Sequence, residues 1–133
     1  MPAETILIIE DNLLNLELVT DLLEAKGYLI LKAETAEAGI RLARTSSPQL
    51  ILMDLSLPGM DGLQATRTLK SDPATKHLKV IALTAHAMKG DQEIALKAGC
   101  DGYVSKPIDT RSFAAAIAGF ITSRPTAPEG LAA

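Results

Sequence analysis

The sequence predicts an α/β domain built on one parallel β-sheet, and three observations support this prediction. Five short apolar runs alternate with five longer segments whose apolar residues recur at helical spacing. Proline falls between these segments, as at Pro48, Pro58, Pro73 and Pro107. The chain has 133 residues, of which 47% are apolar, so it is long enough for one domain with its own core.

The order of the predicted elements defines the fold. The strands are predicted at 5–10, 28–33, 49–53, 79–83 and 102–104. The helices are predicted at 12–26, 36–46, 62–71, 88–98 and 109–122. Strands that alternate with helices of this length form parallel sheets through right-handed crossovers. We therefore predict a flavodoxin-like three-layer sandwich, with a five-stranded sheet in the order 2-1-3-4-5 and five helices.

Residue types at the ends of the helices support these boundaries. Gly27 and Gly99 follow the first and fourth helices, where glycine commonly ends a helix. The residues that can cap the first and fifth helices are Asp11, Asn12, Asp109 and Thr110. A stripe at helical spacing predicts the buried face of the first helix: Leu16, Val19, Leu22 and Leu23.

Composition and charge exclude several classes of function. The net charge is −3 and Lys and Arg form no run, which argues against nucleic-acid binding. No apolar run approaches the length of a membrane span, and the first residues lack the basic segment of a secretory signal. Cys100 is the only cysteine, so we expect no intramolecular disulfide, no cysteine metal site and a small core residue at that position. These features predict a cytoplasmic protein.

The predicted elements form a single unit, with no internal repeat and no linker to a second domain. We therefore predict one domain over residues 1–122. The remaining residues, 123–133, contain two prolines and a glycine that break helix, and they are predicted to form a short mobile tail.

Polar residues follow four of the predicted strands at the points where the strands end. They are Glu10 and Asp11 at strand 1, Asp54 at strand 3, Thr84 at strand 4 and Lys106 at strand 5. In the predicted order, strands 1 and 3 are neighbours at the point where the strand order changes direction. Asp11 and Asp54 are therefore expected side by side. Taken singly, each residue has a plainer explanation: the first two acids can cap a helix, threonine favours strands, and most lysines are solvated.

The combination of these residues indicates a chemistry. Clustered carboxylates repel one another and favour a bound cation. Oxygen ligands without cysteine or histidine favour a hard ion, Mg²⁺ before Ca²⁺. A carboxylate nucleophile, a metal site, a hydroxyl and a lysine together suit phosphoryl transfer to an aspartate.

Six motifs, at residues 9–12, 52–58, 60–62, 83–85, 98–103 and 105–107, together resemble the receiver domain of two-component response regulators. The resemblance extends over approximately residues 5–122 and is greatest to stand-alone regulators of the DivK kind and to receivers of hybrid sensor kinases. It implies that Asp54 is phosphorylated and that Lys106, in a cis bond to Pro107, contacts the phosphoryl group. Thr84 would move to bind a phosphoryl oxygen, and Tyr103 would swing inward behind it.

The resemblance also implies a magnesium site. Asp11 would bind Mg²⁺ directly and Glu10 would bind it through water. Asp54 and the backbone carbonyl of Ser56 would complete the protein ligands. Glu10 stands where many members of the family have aspartate, and its longer side chain could alter metal affinity.

The implied partners are a sensor histidine kinase, a histidine phosphotransfer protein, or both. We hypothesise that the partner surface includes Asn12, Leu14, Asn15 and Leu18. The alternative is that the leucines only widen the core face of the first helix. We expect no output domain after the fifth helix, and we therefore expect that a downstream protein receives the signal by contact with a monomer or weak dimer.

The function predicted from these observations is that of a single-domain response regulator, which catalyses only its own phosphorylation and dephosphorylation and is not a turnover enzyme. One alternative is a relay or sink within a phosphorelay, and a less favoured one is a flavodoxin-like binding module without phosphorylation. A phosphatase of the haloacid dehalogenase type is disfavoured, because Ser56 stands where that type has a second aspartate.

Overall fold

The computed structural model describes residues 4–55, 62–84, 89–105 and 108–122. Within these residues it confirms the predicted fold, a parallel sheet in the order β2-β1-β3-β4-β5 with helices on both faces. The strands are β1 (Thr5–Ile9), β2 (Leu29–Ala33), β3 (Leu50–Asp54), β4 (Lys79–Thr84) and β5 (Gly102–Ser105). The helices are α1 (Leu13–Glu24), α2 (Ala36–Ser46), α3 (Gly62–Ser71), α4 (Lys89–Ala98) and α5 (Phe113–Thr122).

The sheet separates two hydrophobic cores. Ile51 of β3 belongs to the core beneath α2, α3 and α4, which includes Leu69 of α3. The next residue, Leu52, belongs to the opposite core, which includes Val19 of α1 and Ile117 of α5. Successive residues of a strand point to opposite faces, so the continuous apolar runs of the central strands supply both cores. This arrangement is the predicted three-layer sandwich.

Local sequence explains where α1 starts and where α1 and α4 end. The backbone N–H of Asn15 donates to Asn12 Oδ1 at 3.0 Å, so Asn12 caps the N-terminus of α1. Gly27 and Gly99 follow α1 and α4 with φ values of 95° and 112°. Residues with side chains rarely adopt this conformation, which explains why glycine stands at both positions.

The buried face of α1 agrees with the predicted stripe. Leu16, Val19 and Leu23 are buried, and Leu22 is half-buried against the same core. Thr20 is also buried, so the face is wider than the apolar residues alone predict.

Several boundaries differ from the prediction by one or two residues, and the start of α5 differs by four. The predicted start of α5 at residue 109 was wrong, because the continuous helix begins at Phe113. The N–H groups of Ser112 and Phe113 both donate to the Asp109 carbonyl, at 3.2 and 2.9 Å, and Arg111 N–H donates to Asp109 Oδ1. Asp109 therefore caps a separate turn that precedes the helix. Strand β1 ends at Ile9, one residue before the predicted end at Glu10.

Two predictions from composition can be compared with the described residues. Cys100 is 5% exposed, and burial is the main cause that raises the pKa of its thiol, which identifies it as a core residue. Among the described residues, none of the helices is both long enough and apolar enough to cross a membrane.

Candidate functional site

Three carboxylates meet at the carboxyl edge of the sheet. Ligand oxygens of Glu10, Asp11 and Asp54 all lie within 4.8 Å of one another. Glu10 and Asp54 are buried, with 0% and 1% exposure, whereas Asp11 is exposed. The prediction that β1 and β3 bring their acidic residues together is therefore confirmed.

Backbone hydrogen bonds place the acidic residues that follow β1. The N–H of Glu10 donates to the carbonyl of Ala33 at 3.0 Å and extends the pairing of β1 with β2. The carboxylate of Glu10 accepts a hydrogen bond from the N–H of Asn12 through Oε2 at 3.1 Å. Asn12 in turn caps α1, so this short segment both starts the helix and forms one side of the acidic cluster.

Strand β4 and helix α3 both contact the backbone at Asp54. Asp54 is opposite Leu83 in the register of β3 and β4, and the N–H of Leu55 donates to the Leu83 carbonyl at 3.0 Å. On the other side, a Cβ atom at Gly62 would lie 2.5 Å from the Asp54 carbonyl oxygen. This close approach was not predicted from the sequence, although Gly62 lies within the 60–62 motif.

Thr84 and Tyr103 lie on the two strands beyond β3. Thr84 ends β4, is 5% exposed, and follows Leu83, which is the register partner of Asp54. Its own register partner is Ser105 of β5. Tyr103 is partly buried and packs against the core beneath α2, α3 and α4. Thr84 therefore occupies the strand end expected from the sequence, whereas Tyr103 is the second residue of β5.

Three predicted site residues fall outside the described part of the chain. They are Ser56, Lys106 and Pro107. Their predicted roles as carbonyl ligand, phosphoryl contact and cis-peptide partner therefore stay predictions.

The side chains in the cluster suit magnesium. The potential metal ligands that converge there among the acidic, histidine and cysteine side chains of the described residues are all carboxylates, and oxygen donors favour a hard cation. Two of the three carboxylates are almost completely buried, where negative charges that lie close together repel strongly unless a cation offsets them. A Mg²⁺ ion needs only one or two protein carboxylates and leaves other positions for water and phosphate oxygens.

A cleft of about 660 Å³ lies between α1 and the end of β2. Its walls include Leu16, Thr20 and Lys32. None of the three clustered carboxylates lines this cleft, so its volume does not identify the chemical site.

The predicted partner surface is partly exposed. Leu14 is 78% exposed and Leu13 is 60% exposed at the start of α1. Asn12 is exposed, whereas Asn15 and Leu18 are half-buried. The exposure of Leu14 therefore argues against the alternative that this leucine widens the core face.

Comparison with known proteins identifies the family. The family model described as the response regulator receiver domain matches residues 6–118. The polar-differentiation response regulator DivK of Brucella ovis is 43% identical over 119 residues, which are 90% of this chain and 97% of DivK.

Solved structures agree with this comparison. The receiver domain of sensor histidine kinase PA1611 from Pseudomonas aeruginosa PAO1, which has a magnesium ion coordinated in its active-site cleft, is 32% identical with a TM-score of 0.84. The match covers 92% of this chain and all of that domain. A solved structure from Chloroflexus aurantiacus is 24% identical, with a TM-score of 0.87. The match covers 92% of this chain and all of that chain, and it supports the fold alone. The chain belongs to the response regulator receiver domain family and is similar to DivK.

Proposed function

We propose that this chain is a single-domain response regulator that accepts a phosphoryl group on Asp54 from a phosphohistidine. The observation that supports this proposal best is the cluster of Glu10, Asp11 and Asp54 at the carboxyl edge of the sheet. A carboxylate oxygen of Asp54 would attack phosphorus, and the bond between phosphorus and the histidine nitrogen would break. The imidazole would leave and take up a proton, and the product would be an acyl phosphate on Asp54.

In this proposal Mg²⁺ is held by the carboxylates of Glu10, Asp11 and Asp54 and by the backbone carbonyl of Ser56. When bound, Mg²⁺ supplies positive charge that offsets the charges of the carboxylate and the incoming phosphoryl group. The magnesium ion in the cleft of the PA1611 receiver domain supports this assignment. Within this proposal, Asp11 would bind Mg²⁺ directly and Glu10 would bind it through water.

Thr84 and Lys106 would bind the oxygens of the phosphoryl group. The hydroxyl of Thr84 would donate a hydrogen bond, and the ammonium group of Lys106 would act as a compact positive charge. The burial of Thr84 next to the register partner of Asp54 supports its part in this proposal.

The acyl phosphate would act as a switch through Thr84 and Tyr103. A phosphoryl group changes the relative stability of two conformations only if it binds one of them better. The hydrogen bond from Thr84 would supply this difference, and Tyr103 would move inward to occupy the space that Thr84 leaves. The partly buried position of Tyr103 next to the core is compatible with such a movement.

Signalling would then proceed by contact with other proteins. Leu13 and Leu14 are exposed and follow Asp11 of the acidic cluster closely in the chain, which supports a docking surface for a histidine kinase or phosphotransfer protein, together with Asn12, Asn15 and Leu18. Similarity to the DivK regulator over nearly its whole length favours a regulator over a phosphate relay. We further propose that residues 1–122 form the domain, that residues 123–133 form a tail and that the protein acts in the cytoplasm.

The test is phosphorylation by a small-molecule donor. Purified protein is incubated with Mg²⁺ and acetyl phosphate, and its intact mass is measured. Wild type should gain the mass of one phosphoryl group, and Asp54→Asn should not. Asp21→Asn is a matched control, because Asp21 is an exposed aspartate on α1 outside the cluster. Equal labelling of wild type and Asp54→Asn would contradict the proposal.

A further inference from the structure

The start of α3 approaches the end of β3 more closely than a residue with a side chain permits. A Cβ atom at Gly62 would lie 2.5 Å from the carbonyl oxygen of Asp54 and 2.6 Å from the Cα atom of Leu55. Real Cβ atoms essentially never come closer than 3.0 Å to such atoms, and nine in ten contacts are longer than 3.4 Å. Both neighbours are backbone atoms, so rotation of a side chain cannot relieve the contact.

A side chain at position 62 therefore requires the two backbone segments to separate. The distance needed is about 0.5–0.9 Å, which is the difference between 2.5 Å and the range of 3.0–3.4 Å. The flexible side chain of Leu55, whose Cδ2 atom lies 2.9 Å from the same Cβ position, could adjust, but the carbonyl of Asp54 could not.

Both segments are held by other contacts, so the displacement cannot be absorbed by α3 alone. On the α3 side, the buried hydroxyl of Thr66 donates to the Gly62 carbonyl at 2.8 Å, and Ala65 belongs to the core beneath the helix. On the β3 side, Leu55 is hydrogen-bonded to the Leu83 carbonyl of β4. A side chain at position 62 would therefore move the backbone that bears the Asp54 carboxylate as well as the helix.

We propose that Gly62 is a positioning residue for phosphoryl transfer to Asp54. Because Gly62 has no side chain, α3 can fix the backbone of Asp54 at the position where its carboxylate faces Glu10 and Asp11. This inference rests on the function proposed above. Displacement of a reacting group by about 1 Å can lower a rate by about two orders of magnitude, so 0.5–0.9 Å is large enough to matter.

The experiment compares Gly62→Ala with wild type in the acetyl phosphate reaction. Rates are measured at saturating Mg²⁺ and at a temperature where circular dichroism shows each variant to be fully folded. The maximal rate of Gly62→Ala should fall at least tenfold. The concentration of acetyl phosphate that gives half of this rate should change less than the maximal rate does, because Thr84 and Lys106, the groups proposed to bind the phosphoryl oxygens, do not belong to the displaced segment.

Two controls separate position from stability. Gly119→Ala is the same substitution on α5, where no described atom beyond the chain neighbours and the backbone of that helix lies within 4 Å of the Cβ position, and it should keep the wild-type rate. Ile117→Ala creates a cavity in the core between α5 and the sheet, so it should lower the melting temperature but also keep the wild-type rate. A similar loss of rate in Ile117→Ala would overturn the proposal, because instability alone would then explain the effect.

If Gly62→Ala does not fold, Thr66→Val is measured in its place. Valine preserves the shape of Thr66 but cannot donate to the Gly62 carbonyl, and we expect a loss of about two- to fivefold in maximal rate. The inference would be overturned if folded Gly62→Ala kept the wild-type rate. If Gly62→Ala does not fold, a wild-type rate in Thr66→Val would overturn it. In both cases the proposed function would stand. Failure of wild type to be labelled would instead overturn both.

Discussion

Replacing Asp54 by asparagine should make the metal-free protein more stable, because it removes one of three clustered negative charges. Ligand oxygens of Glu10, Asp11 and Asp54 lie within 4.8 Å of one another. At that separation two unit charges repel by about 0.9 kcal/mol in water and by about 3.5 kcal/mol at an effective dielectric constant of about 20. Asp54 takes part in two such pairs. The exposure of Asp11 and the weaker hydrogen-bonding of asparagine reduce the benefit, so we expect a net gain of about 1–3 kcal/mol in the free energy of unfolding.

The assay is thermal unfolding followed by circular dichroism, first in EDTA and then in Mg²⁺. In EDTA the melting temperature of Asp54→Asn should exceed that of wild type by roughly 4–10 °C. Mg²⁺ at tenfold excess over its dissociation constant should stabilise wild type by about 1.4 kcal/mol, and it should stabilise Asp54→Asn less.

Asp21→Asn is again the control, because it removes the charge of an exposed aspartate on α1 that lies outside the cluster. Its melting temperature should stay close to that of wild type under both conditions. The electrostatic reasoning would be refuted if Asp54→Asn were no more stable than wild type in EDTA, or if Mg²⁺ stabilised both proteins equally.

Two further predictions concern the partner surface and the core. Leu14→Ser should slow phosphotransfer from a phosphorylated histidine kinase by about tenfold, without changing labelling by acetyl phosphate. The reason is that it removes apolar contact area that contributes roughly 1–2 kcal/mol to the free energy of docking. Leu29→Ser, on the exposed edge of β2, should leave both rates unchanged, and equal slowing by both variants would remove Leu14 from the partner surface. Cys100 should react with a thiol reagent at pH 8 at least tenfold more slowly in folded than in unfolded protein, since burial raises the pKa of its thiol. The thiol of the unfolded protein ionises at a lower pH than that of the folded protein, so the free energy of unfolding should fall as the pH rises beyond about 9.0. A Cys100→Ala variant should lack the contribution of this thiol to the fall.

The fold was predictable because its signals are local. The run from Leu50 to Met53 is buried at every position, as expected of a strand covered on both faces, and Gly27 and Gly99 end helices through a conformation that favours glycine. The topology then follows from the alternation of strands and helices and from the handedness of their crossovers. The convergence of the three carboxylates is a consequence of that topology, since the ends of neighbouring parallel strands lie at one edge.

The contacts that the sequence did not predict are those between residues far apart in the chain. The carboxylate of Asp101 accepts from the N–H of Val80 at 2.8 Å and from Lys70 Nζ at 2.9 Å, and it thereby links α3, β4 and the start of β5. The approach of Gly62 to Asp54 is of the same kind, because it depends on how α3 packs over β3. Periodicity and capping patterns describe one element at a time, so they contain no information on such distances.

The start of α5 shows a different limit of local reasoning. Asp109 has the capping chemistry that marks a helix start, and its carbonyl and side chain do accept hydrogen bonds from residues 111–113. A cap can close a single turn without starting a continuous helix, and the sequence alone did not distinguish these two outcomes.

The central claim is that Asp54 receives the phosphoryl group, and chemical trapping tests it most directly. Protein labelled with acetyl phosphate and Mg²⁺ is treated with borohydride, which reduces an aspartyl phosphate to homoserine, and the peptides are sequenced by mass spectrometry. We predict homoserine at position 54 and unmodified aspartate at positions 11 and 61. Homoserine at another position, or its absence from protein that has gained a phosphoryl group, would contradict the account.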